Sequence, residues 1–532
     1  MTVRQHMSWL HTWAGLAVGW LLFAIFLTGT ACYFRPDIST WMHRLRPVDL
    51  PDQAAQARMA ASWLTDEASD AVRWLIDLPD GREPVLKVAA GRPHGFVASR
   101  LDPETGAPET GPDTVGGDFL FYFHFTLIMS DWGRTLGRYL TGICAMIMGV
   151  AIVTGVIVHK RIFKDAFTFR PRAAAQRAWL DGHNLLGVMS LPFHLMITWS
   201  GLVTLMLLYM PWAVDAAYPA GRAGYAADLD GIGPAVVTAS IIQPAPLTDL
   251  GPVIGQAAAM WSAPDRPDGI GGIRGGRIAV DRPGTTAARL TLTPQDADQL
   301  ARRPETLVFD GVTGRLIADG RGQGGAAAAT YHTLYGLHLA RFAGLPLRWL
   351  FFLSGLAGTA IIATGLVLWS VKRRPKSGAP GRAREWGRAR EWGRAREWGR
   401  SRGHRLVDAL NIGCLVGLPA AIAGQFLANR LLPAALDERA ALEAAAFYLV
   451  WLAMLGLGAL RSDGTGWVRA LAVAALLWAA VPLLDVLVTG RDPWRAVLAG
   501  DRVFWGMQLA ALCMALGLGR LAMIVQARRG RP

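Results

Sequence analysis

Cysteine is scarce and scattered. The 532 residues hold four, Cys32, Cys144, Cys414 and Cys513, each in or at the end of a different apolar segment. No CxxC spacing joins any two, so neither a disulfide framework nor a thiolate cluster is expected. The C-x-x-C-H signature of covalent haem attachment is missing as well. So are H-E-x-x-H, a phosphate loop and a G-x-G-x-x-G after a strand. Gly271-Gly-Ile-Arg-Gly275-Gly276 has no strand before it, which argues against a dinucleotide site. Acidic residues are outnumbered, 40 against 54 basic ones. Histidine stops at His404, so the last part of the chain should hold no imidazole-ligated metal.

Apolar residues are plentiful. They make up 52% of the chain, with a mean hydropathy of +0.28. Segments at 8–34, 137–158, 183–211, 349–371, 406–427, 443–460, 467–489 and 503–524 are each long enough to cross a bilayer, about eight spans in all. The first contains Gly-Thr-Ala-Cys32, faintly like a lipoprotein cleavage site, but it is too long for a typical signal peptide and reads as an uncleaved helix. Loop 159–182 carries Lys160, Arg161, Lys164, Arg170, Arg172 and Arg177, and 372–405 is denser still in Arg. The positive-inside rule puts both in the cytoplasm, with the N- and C-termini, and puts the polar segments 35–136 and 212–348 outside. Residues 381–398 are GRAREW three times over, read as a low-complexity linker. Basic character here reports topology, and no nucleic acid is expected as a partner.

Leu180–Gly201 reads as one membrane helix with two histidines, His183 and His194. On a continuous helix they would share a face, roughly 16 Å apart. Buried membrane histidines are costly unless something binds them. The pattern recurs. His11 and His183 both open H-x-x-x-G, and each is followed at the same distance by Thr28-Gly29 or Ser200-Gly201. Asp102-Pro-Glu-Thr-Gly106 and Asp310-Gly-Val-Thr-Gly314 share D-x-x-T-G. His124 and His338 share H-x9-R-x-L. Thr154-Gly155 and Thr364-Gly365 close the second and fourth helices. Residues 1–371 are therefore a tandem repeat, 1–158 and 183–371, with loop 159–182 between them, linker 372–405 after them and a four-helix region over 406–532. In the outer segments, Gln53–Ala68 reads as helix. Ala71–Asp77, Val85–Val88, Gly95–Leu101, Arg277–Asp281, Ala288–Leu292 and Thr306–Asp310 read as strands. Ala213–Pro267 gives a weak signal.

Neutral imidazole inside a bilayer best suits haem iron. Two matched pairs, His11 with His183 and His124 with His338, suit two non-covalent b-type haems, one near each face. His194 competes with His124 or His338 for the outer iron, and His159 could replace His11 or His183. Zinc ranks lower, because no Cys or carboxylate accompanies these histidines. The aromatic run Phe119–Phe125, with Arg341 and Arg348, is expected at the outer interface and along the approach to the outer site.

Taken together, H-x-W-x-G-L at His11, the D-x-x-T-G turns, H-x9-R-x-L and His183-Asn-Leu-Leu-Gly-Val resemble the PepSY-associated transmembrane family. Leu191-Pro-Phe-His194-Leu-Met-Ile and His159-Lys-Arg-Ile-Phe-Lys-Asp-Ala-Phe-Thr-Phe-Arg170-Pro171 are similar to its ferrioxamine-reductase branch. The resemblance covers about 1–375. It implies a polytopic α-helical protein of the Gram-negative inner membrane with two α+β PepSY-like periplasmic segments, about 35–118 and 212–348. It also implies a dihaem oxidoreductase that takes a ferric siderophore and releases ferrous iron, with a cytoplasmic or membrane electron donor. Two rival readings are a PepSY anchor that binds a periplasmic partner without redox chemistry, and a transporter component using the C-terminal helices.

Overall fold

The structure is a computed structural model. It describes residues 2–45, 52–92, 95–109, 111–127, 131–159, 168–171, 173–229, 242–262, 276–294, 300, 305–321, 325–373 and 402–529. The GRAREW repeat, Lys160, Arg161, Lys164, Arg172 and Gly271–Gly275 lie outside these residues. The chain forms two compact units, one of 1–44, 112–202 and 349–532, the other of 45–111 and 203–348.

The first unit is helical. Its long apolar helices are α1 (Val3–Ala31), running on through a short turn into α2 (Arg35–Met42), then α5 (Asp131–Val158), α10 (Leu345–Arg373) and four more near the C-terminus. Thr2 caps α1 in a reciprocal pair with Gln5, which satisfies two amides that an apolar helix start would leave open. Seven helices are long and apolar enough to cross a membrane among the described residues, or eight if one bent pair is a single span. The protein is thus a polytopic helical membrane protein.

That bent pair corrects the expected continuous third helix. Ala175–Met189 (α6) and Leu191–Thr204 (α7) meet at 66° (the helices α3 and α4 are described below). Ser190 leaves helical geometry at the joint and donates its hydroxyl to Leu186 O at 2.6 Å. Pro192 has no N–H to give the preceding turn, so the chain kinks there. His183 and His194 therefore sit on different helices, and the argument from one shared face lapses.

The second unit centres on one antiparallel sheet. Its strands are β1 (Arg73–Asp77), β2 (Leu86–Arg92), β3 (Gly95–Leu101), β4 (Arg277–Asp281), β5 (Arg289–Thr293), β6 (Leu307–Asp310) and β7 (Leu316–Asp319), ordered β3-β2-β1-β4-β5-β6-β7. Both outer segments feed it. The central seam pairs β1 with β4, Arg73 opposite Asp281 and Asp77 opposite Arg277. Both strands read R-x-x-x-D, so antiparallel pairing matches each Arg to an Asp, at 3.3 and 2.5 Å. Helices α3 (Gln53–Glu67) and α8 (Leu250–Trp261) pack on the sheet through a core that includes Leu64, Ile76, Leu86, Trp261, Leu290 and Phe309. The two D-x-x-T-G turns are alike in detail. Asp102 accepts from the Glu104 and Thr105 amides, and Asp310 from those of Val312 and Thr313. Gly106 and Gly314 close them at φ +71° and +69°, which favours glycine.

Candidate functional site

His11 lies on α1 and His183 on α6. Each faces the second helix of its own repeat, α5 (Asp131–Val158) or α10 (Leu345–Arg373). His11 Nδ1 is 2.9 Å from Ala151 O and 3.2 Å from Thr154 Oγ1. His183 Nδ1 is 3.1 Å from Ile361 O and 3.2 Å from Thr364 Oγ1. A carbonyl only accepts, so Nδ1 carries the proton on both rings and Nε2 keeps its lone pair. The threonine protons are spent inside their own helices, on Val150 O at 2.7 Å and Ile361 O at 2.8 Å. The glycine after each threonine lets its helix come close. A Cβ on Gly155 would lie 3.2 Å from His11 Cε1, and one on Gly365 3.2 Å from His183 Cε1.

The two rings meet with centroids 6.2 Å apart and planes at 73°. Imidazoles bound through Nε2 on opposite sides of one metal, each at about 2.0 Å, would hold their centroids about 6 Å apart. The separation therefore has room for one metal ion between the rings. No group of three or more His, Cys, Asp or Glu that could hold a metal occurs among the described residues. Further ligands would have to come with the metal, as porphyrin nitrogens do. A Cβ on Gly15, one turn beyond His11, would meet nothing within 4 Å.

Other histidines are placed separately. His194 is 2% exposed, and its Nε2 has no hydrogen-bond partner. Its ring meets Phe26 at 5.9 Å, and a Cβ on Gly358 would lie 2.8 Å from Nε2. A buried imidazole nitrogen left unpaired is costly, which marks His194 as a ligand candidate. His124 sits on α4 (Asp118–Thr126), its Nδ1 2.8 Å from Ile25 O and its ring against Gly29. His159 follows the end of α5. His338 is in the last turn of α9 (Ala326–Leu339), in the other unit. The structure thus brings His11 and His183 together, and sets His124 and His194 against neighbouring residues of α1.

Two expectations are corrected. Phe119 and Phe123 line no approach, because both are buried against Phe447 and Tyr448. Arg348 is also buried, with Nη2 donating to Ala343 O at 3.2 Å, whereas Arg341 is exposed.

The C-terminal helices hold a charged network that the sequence shows only in pieces. They are α11 (Arg402–Leu431), α12 (Arg439–Leu460), α13 (Gly464–Thr489) and α14 (Arg502–Arg529). Arg430 pairs with Asp485 and Arg439 with Glu443, all four side chains at most 1% exposed. Trp41 donates to Asp485 at 2.9 Å, and Asn429 donates to Glu443 at 2.7 Å. Asp485 stands out in the sequence. The others fall near helix ends, where charge is ordinarily solvated, and only the i,i+4 spacing of Arg439 and Glu443 hints at a pair.

Residues 8–372 match the family model described as the PepSY-associated TM region. No curated protein matches the chain.

Proposed function

This chain belongs to the PepSY-associated transmembrane family, and on that premise we propose that it is a haem-dependent membrane oxidoreductase that reduces ferric siderophores. The observation that carries the proposal is the mirrored pair His11 and His183, each with Nδ1 on a carbonyl and the rings 6.2 Å apart. His11 and His183 would hold the iron of one b-type haem. His124, His194 and His338 are the candidates for a second, and His159 could replace His11 or His183 at the first. Bound there, haem supplies a one-electron ferric/ferrous couple. The Ala151 and Ile361 carbonyls orient the two rings and raise their basicity. The substrate reaction is balanced by one electron from a cytoplasmic or membrane donor, which is oxidised: the ferric iron of the chelate gains it and becomes ferrous, and the chelate loosens.

The substrate class rests on the similarity of the His159–Pro171 and Leu191–Ile197 stretches to ferrioxamine reductase. An inner-membrane location rests on the same resemblance, and cytoplasmic termini and a periplasmic substrate side rest on the basic loops. In the purified protein, a Soret band and a pyridine haemochrome count near two per chain are expected, with haem extractable by acid-acetone. His183→Ala should remove one of the two. The non-redox anchor predicts no Soret band, and with none the reading fails.

A further inference from the structure

The helix that carries His124 is held partly by residues outside the family-matched region. Before α4, the Val115 amide donates to Glu443 at 3.3 Å, and the Thr114 hydroxyl donates to the same carboxylate. Arg439 Nη1 donates to Asp113 O at 2.6 Å. Asn429 Nδ2 ties these together, reaching Thr114 Oγ1 at 3.1 Å, Glu443 and Met42 O. One face of α4 is then covered. Phe119 and Phe123 lie 4.9 and 5.3 Å from the Phe447 ring, and Phe123 is 6.1 Å from Trp451. His124 stands at the far end of α4, its Nδ1 on Ile25 O.

A nine-residue helix cannot hold its own geometry in isolation. Its first residues are held by Ser39, which accepts from the Gly117 amide at 3.0 Å, and by Arg35, which pairs with Asp118 at 2.6 Å. The segment just before it is held by Glu443 and Arg439 and its apolar face by Phe447, and these three lie beyond residue 372, where the family match ends. We infer that the C-terminal helices are a positioning clamp for His124: Arg439, Glu443 and Phe447 set the height and rotation of α4 and so the aim of the His124 imidazole. The buried charges suit this role. A fully paired network in a low-dielectric interior tolerates little displacement, because any shift strands a charge. The clamp stands on geometry alone. Its consequence for a cofactor rests on the proposed haem function.

The test uses the full-length protein in detergent, with Phe447→Ala, Glu443→Gln and, on an exposed position of the same helix, Leu449→Ala. The first readout is hydrogen exchange of the α4 amides, with the α6 amides as reference. The second is a potentiometric titration of the spectral component that His124→Ala removes. Phe447→Ala should speed α4 exchange about tenfold or more, while α6 stays unchanged. It should also move the midpoint, or lower the occupancy, of the His124-dependent component. Leu449→Ala should do neither, and Phe447→Leu should restore most of both. If Phe447→Ala does not accumulate, Glu443→Gln carries the same comparison against Leu449→Ala. Equal α4 exchange in the Phe447 and Leu449 variants would overturn the clamp. Faster α4 exchange with a wild-type spectrum in His124→Ala would leave the clamp standing and sink the haem assignment at His124.

Discussion

An imidazole can hold a metal only if its proton is elsewhere, and here a backbone carbonyl decides where. Ala151 O and Ile361 O take the Nδ1 protons of His11 and His183. Both carbonyls come three residues before a Thr-Gly pair. The sequence displays that pair and the histidines, but which carbonyl a ring meets depends on how two helices pack, which no local pattern states. The glycines make the approach testable. Gly365→Ala puts a methyl 3.2 Å from His183 Cε1, tighter than ordinary contact. It should displace the ring, destabilise by about 1–3 kcal/mol, and lower haem content. Gly149→Ala, in α5 with nothing within 4 Å of its Cβ, should leave haem content unchanged and add up to about 1 kcal/mol of helix stability. Haem-to-protein ratios and thermal melts of the two variants decide it. Equal haem loss in both would show that the contact does not matter.

Single elements were well read where one period dominates. Six of the seven strands are visible in the sequence, all but β7, and Gly95–Leu101 and Arg277–Asp281 fall at the expected bounds. Helix α8 was not legible, because Gly251, Pro252 and Gly255 depress its helix signal. Pro252 is harmless in the first turn after the Asp249 cap, and burial of Leu250, Val253, Ile254, Ala257 and Trp261 supplies the rest. Nor was it legible that both outer segments share a sheet, since a strand's sequence rarely names its partner. The R-x-x-x-D match of β1 and β4 is the one local trace. Arg277→Asp should cost roughly 0.5–1 kcal/mol by placing like charges across the seam. Arg277→Asp with Asp77→Arg should recover most of it, measured by proteolysis of the folded protein. No recovery would mean the pair does not help fix the register. The turns give a pH dependence. Burial raises the Asp102 and Asp310 carboxyls, but hydrogen bonds from the following amides and threonines outweigh it, so both lie below the ordinary 3.8. The unfolded chain then binds protons first. Their contribution is full above 3.8 and fades as pH falls through the lower folded values. Asp102→Ala with Asp310→Ala should therefore flatten the acid side of the stability profile, and an unchanged slope would contradict this.

At the scale of the molecule, the repeat is a symmetric device with an unrepeated half attached. Residues 402–529 contain no second copy of the histidine pattern, yet their buried charges reach back to the first repeat. Arg430 Nη2 donates to Trp41 O at 3.0 Å and its guanidinium lies 3.8 Å over the Trp41 ring. Asp485 takes the Trp41 indole N–H at 2.9 Å, and Gln508 donates to it as well. Trp41 belongs to the helix that continues α1, the helix of His11. A buried ion pair adds little over an apolar pair of the same shape, but breaking it by removing one partner leaves a charge in hydrocarbon. Asp485→Leu alone should thus destabilise by about 3–5 kcal/mol, and Arg430→Met with Asp485→Leu should be much milder. If the network couples the C-terminal helices to the repeat, the single variant should lower the melting temperature read at the C-terminal helices and at α1 together. The double variant should restore both. Melting of the C-terminal helices while α1 stays protected, read by hydrogen exchange at each, would show that the two parts unfold independently and that the charges serve only their own half.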